Sequence, residues 1–256
     1  MRSTALAFGL GTAGLGAVCL AFGDFALQWQ PVPAGLPART PLAYANGLVM
    51  AAAGLLVLIP STQLRAARFL AVYFILWTLL LKVPKVIAAP ATTLSWLGLA
   101  EIASLAAAAV TLALLLDPRP RPAGLRAARI VYGLCPLVFG LSHFVYARFT
   151  AEMVPGWLPA PLFWAYATGV GHVAAGLAIL SGLLARLAAT LLAAMMACFV
   201  LLLHLPRVVA APASQVEWTM LFVATALAGA AWILRAGLSG PGSPASASAG
   251  RQARPA

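Results

Sequence analysis

Charge is what this sequence has least of. Asp, Glu, Lys and Arg together make up 8% of its 256 residues, where a soluble domain carries about 25%. That shortage excludes an ordinary soluble domain and a disordered chain, which lives on charge. Acids are scarcer still, five against sixteen Lys and Arg. In a soluble chain such an excess of base would suggest nucleic acid. Here the bases sit one or a few at a time between apolar runs, so no basic face forms and nucleic acid is not a partner. Cysteine is down to Cys19, Cys135 and Cys198, each alone inside an apolar run. There is no C-x-x-C pair and no Cys/His spacing for zinc, which argues against a dithiol reaction and against a metal site. A P-loop, G-x-S-x-G, H-E-x-x-H and a nucleotide fingerprint are likewise missing.

What remains is apolar: 63% of the chain. A transmembrane helix needs about 20 mostly apolar residues. Eight such runs are present, roughly 4–22, 42–60, 64–83, 95–116, 126–146, 162–182, 186–205 and 217–235. They are twice the length of a barrel strand and rich in Ala and Leu, so the fold class is an all-α polytopic membrane protein with eight transmembrane helices. The first run resembles a secretory signal, but it has no convincing A-x-A site and a counterpart at 126–146 in mid-chain, so it is expected to remain as a helix. Residues 237–256 are Gly, Pro, Ser and Ala with nothing to bury, and are expected to be a disordered tail. Eleven of the sixteen bases fall on the side holding both termini, and three of the five acids on the other. The positive-inside rule then puts both termini in the cytoplasm of an inner membrane.

The chain also repeats itself. KVPKVIAAPA at 82–91 returns as HLPRVVAAPA at 204–213, an offset of 122. The same offset pairs Val32-Pro33 with Val154-Pro155, Tyr44 and Gly47 with Tyr166 and Gly169, Gly54 with Gly176, and Trp96 with Trp218. Before residue 32 the offset falls to 119, pairing Asp24-Phe25 with His143-Phe144. Matched Pro, Trp, Tyr and Gly do not arise readily by chance. Each repeat holds an even number of helices, so the two run parallel. The expected organisation is a four-helix-bundle repeat at 1–116, a Pro/Arg-rich cytoplasmic linker at 117–125 and a second repeat at 126–236.

The four-helix unit, the GLSHF end of a first helix, the VP-x-x-LP loop, the AAGLAIL helix and the LLHLPRV helix end resemble the DoxX-like integral membrane proteins, most strongly from Gly140 to Pro212. The resemblance implies a tandem fusion of the family's four-helix unit. It also implies a link to quinone-coupled sulfur or redox chemistry, or to assembly and trafficking of other proteins. It carries over no catalytic residue.

Titratable groups at membrane depth are costly and point to function. All three histidines lie in the second repeat: His143 and His204 at outer helix ends, and His172 roughly 15 Å into its helix, near the midplane. Tyr166, Gly169, His172 and Gly176 are spaced to share a face, and the glycines turn that face towards a neighbouring helix. One reading is a small-molecule cavity lined by His143, Tyr166, His172 and His204, with Arg207 near its mouth. Its cofactor would be a quinone, accepting an imidazole hydrogen bond, in preference to haem. The other is three separate histidines, each satisfied locally. Repeat one has Asp24, Met50 and Lys82 instead, and adds Glu101 where repeat two has Val223. A buried ion pair between Lys82 (or Lys85) and Glu101 is expected, with a proton or substrate relay as the alternative. The K/H-x-P-K/R element reads as a helix stop with a snorkelling base, or as anion recognition. The loops 23–41 and 147–161, with Trp29 and Trp157, are expected to lie as interfacial lids. Three functions remain open: membrane partner of a quinone-linked redox system, small-solute permease, and non-catalytic chaperone or scaffold for another membrane protein.

Overall fold

The computed structural model describes residues 2–27, 29–119 and 121–238. Every regular element among them is helical: α1 (Arg2–Phe22), α2 (Arg39–Leu56), α3 (Gln63–Trp77), α4 (Val83–Ala88), α5 (Thr93–Leu116), α6 (Pro122–Val145), α7 (Ala147–Glu152), α8 (Pro161–Ser181), α9 (Ala185–Cys198), α10 (Leu205–Ala210) and α11 (Gln215–Gly237). Single π-helical turns, Thr78–Lys82 and Phe199–His204, join α3 to α4 and α9 to α10. The expected tail lies outside the described residues, apart from Gly237 and Leu238.

Among the described residues, seven stretches are long and apolar enough to cross a membrane: α1, α3 with α4, α5, α6, α8, α9 with α10, and α11. Helix α2 has 18 residues but carries Arg39, Tyr44 and Asn46, which lower its hydropathy, and it does not join the seven. The outward faces are lined with Leu, Val, Ile and Phe, among them Leu48, Leu80, Val170 and Leu201. A contiguous apolar surface of this kind needs lipid around it.

Small residues set the packing. Where lipid is as apolar as the protein, helices gain by close approach, and Gly and Ala permit it. A Cβ on Gly9 would meet the Gly54 carbonyl oxygen at 2.7 Å, and one on Gly16 the Gly47 carbonyl oxygen at 2.5 Å. The same antiparallel contact recurs between α6 and α8, where a Cβ on Gly140 would meet the Gly169 oxygen at 2.7 Å and one on Gly176 the Gly133 oxygen at 2.9 Å. The most buried helices are α5 and α11, which pack on each other. Around them α1 packs on α2 and α11, while α6 packs on α8 and α5. The first helix of each half thus rests on the last helix of the other. The halves interlock because Gly11 and Gly229 let the α1 and α11 backbones touch.

The two π turns have one cause. Pro84 and Pro206 lack an N–H, and a proline ring crowds the carbonyl four residues back. Widening the turn ahead of the proline relieves that crowding. It also turns the last residue of each π turn inwards: Lys82 and His204 are buried, whereas Lys85 and Arg207 are exposed. Beyond each turn the chain is pinned alike, with the Trp96 indole donating to the Pro90 carbonyl (2.8 Å) and Trp218 to Pro212 (2.9 Å). At the opposite end, Arg68 reaches Asp117 at 2.6 Å. The Arg119 backbone N–H, and then Arg68, hold the Asp117 carboxyl below the usual carboxylate range.

Candidate functional site

The close approach of α6 and α8 creates the site. His143 Cβ lies 3.0 Å from where a Cβ on Gly169 would stand, so the glycine admits the imidazole between the helices. One turn further along α8, His172 is 1% exposed. The two imidazole rings are 5.1 Å apart, centroid to centroid. Phe139 meets His172 edge-on at 5.5 Å, and Phe199, at the start of the second π turn, lies 6.3 Å from His172 and 6.4 Å from His143. His143 Nδ1 donates to the Phe139 carbonyl at 2.8 Å, which leaves Nε2 as its acceptor. Neither ring nitrogen of His172 has a hydrogen-bond partner, and both are buried. A buried polar group without a partner costs about 1–3 kcal/mol. Such an atom asks for an explanation, and a ligand polar group is one.

His204 closes the same π turn that Phe199 opens. It is 5% exposed, and its Nδ1 also lacks a partner. Arg207 forms a two-pronged pair with Glu217, both N–O distances 2.8 Å, and is committed there. Tyr166 does not join the site. It is 49% exposed and stacks on Phe144 at 6.2 Å. The spacing explains this: each three-residue step falls about 60° short of a full turn, so two steps set Tyr166 about 120° from His172. Among the described residues, no three His, Cys, Asp or Glu side chains converge to hold a metal ion.

The first half holds a cluster of uncharged polar groups. Gln30, 1% exposed, enters from the loop between α1 and α2. Its carboxamide faces that of Asn46 in both directions, Asn46 Nδ2 to Gln30 Oε1 at 3.1 Å and Gln30 Nε2 to Asn46 Oδ1 at 3.4 Å. Gln30 Nε2 also donates to the Tyr73 hydroxyl (3.1 Å) and to Met50 Sδ (3.4 Å), and Cys19 Sγ donates to Gln30 Oε1 (3.5 Å). Asn46 and Tyr73 are polar residues in apolar helices, and that was the available signal. The loop is latched by Arg39, which binds Asp24 (2.8 Å) and the Val32 and Pro33 carbonyls (2.7 and 2.9 Å). Trp29 is buried with it rather than lying at the interface, whereas Trp157 in the second loop is exposed.

Lys82 is 3% exposed, and its Nζ would lie 2.7 Å from a Cβ on Gly98. Glu101 stands one turn along α5 from Gly98.

Residues 124–205 match the DoxX family. The matched segment contains His143, His172, Phe199 and His204 of the site. No curated protein and no solved structure matches the chain.

Proposed function

We propose that this protein belongs to the DoxX family and crosses an inner membrane eight times as two parallel repeats, 1–116 and 126–236, with linker and termini in the cytoplasm. We further propose that its second repeat binds the headgroup of a quinone on behalf of a redox partner in the membrane. Helix α2 is the eighth span, offsetting its polar residues by burying Asn46 against Gln30. The matched glycine contacts, the two π turns before proline and the left-handed Ala38 and Ala160 ahead of α2 and α8 support the repeat. The excess of arginine on the terminal side supports the orientation.

The observation that carries the ligand reading is His172. Its two nitrogens form one donor and one acceptor in the neutral ring, both buried and both free. A quinone carbonyl accepts from the donor, and Phe139 and Phe199 supply apolar walls for a flat ring. A bound quinone supplies two-electron, two-proton chemistry. His172 orients the carbonyl, and the fixed tautomer of His143 keeps Nε2 ready to accept a proton. Haem fits less well, because two imidazoles in ring contact leave no slot between them for a macrocycle.

His172→Phe separates this reading from a structural histidine. The substitution keeps a flat aromatic ring and deletes both orphaned nitrogens. In detergent, a short-chain benzoquinone titrated against tryptophan fluorescence is expected to bind the wild type, and the variant at least about tenfold more weakly. Unchanged affinity contradicts the proposal.

A further inference from the structure

The glycine contacts fix which residues correspond between the halves. Gly9 and Gly16 of α1 meet Gly54 and Gly47 of α2, just as Gly133 and Gly140 of α6 meet Gly176 and Gly169 of α8. Gly133 and Gly140 follow Gly9 and Gly16 by 124 residues, whereas the α8 glycines follow those of α2 by 122. Cys19 therefore corresponds to His143, and it packs alike: a Cβ on Gly47 would lie 2.9 Å from Cys19 Cβ, and one on Gly169 3.0 Å from His143 Cβ. Met50 corresponds to His172 and is as deeply buried. Asp24, which the sequence offset of 119 pairs with His143, lies beyond the end of α1 and binds Arg39 instead.

On this correspondence the place between Cys19 and Met50 is the first repeat's copy of the place between His143 and His172. In the second repeat the ring nitrogens of His172 are unpartnered. In the first, the Gln30 carboxamide is bonded to Cys19, Asn46, Met50 and Tyr73. That amide is a flat, neutral carbonyl group carried in by a loop that Arg39 latches and to which α11 also holds, Gln215 Nε2 donating to the Phe25 carbonyl at 3.0 Å.

We propose that the first repeat contains a second binding pocket for a flat, neutral carbonyl compound, lined by Cys19, Asn46, Met50 and Tyr73 and closed by the chain's own Gln30. The proposal rests on the two-repeat reading above. It extends the ligand class by analogy of position: the external compound in the second repeat takes the place that an amide takes in the first. Removing Gln30 takes the oxygen acceptor from Asn46 Nδ2 in a space the size of the lost side chain, while the Tyr73 hydroxyl keeps its bond to Asn46 Oδ1, and a carbonyl ligand accepts from Nδ2 again.

The test counts bound short-chain benzoquinone per chain by equilibrium dialysis in detergent. The wild type is expected to bind one, Gln30→Ala two, and Gln30→Ala with His172→Phe one. If the wild type binds none and Gln30→Ala binds one, the plugged pocket stands and the second-repeat reading falls. If Gln30→Ala binds only what the wild type binds, the plugged pocket is overturned and the second-repeat reading is untouched. Arg39→Ala gives an answer should Gln30→Ala not fold, since it unlatches the loop without entering the pocket. In a Cys198→Ser background its Cys19 is expected to be alkylated by a small maleimide at least tenfold faster. An unchanged rate overturns the proposal.

Discussion

Gly229→Leu is expected to prevent the chain from reaching its folded, monodisperse state. A Cβ at residue 229 would stand 2.0 Å from the Phe8 backbone nitrogen and 2.6 Å from its Cα. One turn away the contact is returned, with a Cβ on Gly11 2.4 Å from the Ala226 nitrogen and 2.7 Å from its Cα. The atoms in the way are backbone on both sides, so no rotamer change can yield. The α1 and α11 axes would have to separate, and Phe8, Leu15, Ala230 and Ile233, all fully buried, would lose their packing. Overpacking a core ordinarily costs about 1–3 kcal/mol. A backbone collision at the joint between the two halves belongs beyond that range. Gly229→Ala is expected to lower the thermal midpoint in detergent sharply, and Gly229→Leu to elute as aggregate on size exclusion. Gly156→Leu is the control, because nothing lies within 4 Å of a Cβ there. Equal midpoints for the residue-229 variants and the control would contradict the interlocked arrangement.

The second large effect is expected at Lys82 and Glu101, which we propose form a buried ion pair beside Gly98. Removing one partner of a buried ion pair costs about 3–5 kcal/mol, because the other charge stays buried without compensation. Replacing both with apolar residues of similar size is often neutral or better. Glu101→Gln is therefore expected to lower stability by about 3 kcal/mol or more. Lys82→Met with Glu101→Leu is expected to return most of it. A double-mutant cycle by thermal unfolding at neutral pH measures the coupling, and additive effects of the two single changes would mean the charges act separately. Gly98→Ala reads the same contact from a third side, as its Cβ would displace the Lys82 ammonium.

Much of this was legible in the chain itself. The eight apolar runs fall on the long helices with ends off by up to about four residues, and seven of them are long and apolar enough to cross a membrane. His172 declared itself by depth and by its flanking glycines, and the structure brings His143 to it. Three things were hidden. The π turns follow from Pro84 and Pro206, but a bent helix end and a widened turn look the same in sequence, so which of Lys82 and Lys85 turns inwards could not be told from it. The interlocking of the halves depends on Gly11 and Gly229, two small residues among many in an Ala-rich chain, and nothing local says which of them face across the repeat. Gln30 sits in a loop with no periodicity, and no pattern marks a loop residue that folds inwards. Tyr166 was misplaced for a simpler reason: a three-residue spacing repeated twice drifts off the face that it starts on.

The central claim is that the second repeat holds a quinone at His172. Its most direct test is mass spectrometry of the organic extract of the detergent-purified protein, prepared side by side with His172→Phe. The account predicts quinone at about one per chain in the wild type, following the occupancy expected when the concentration in the membrane exceeds the dissociation constant, and little above the lipid background in the variant. Equal quinone in both preparations, or none above background in either, would contradict it.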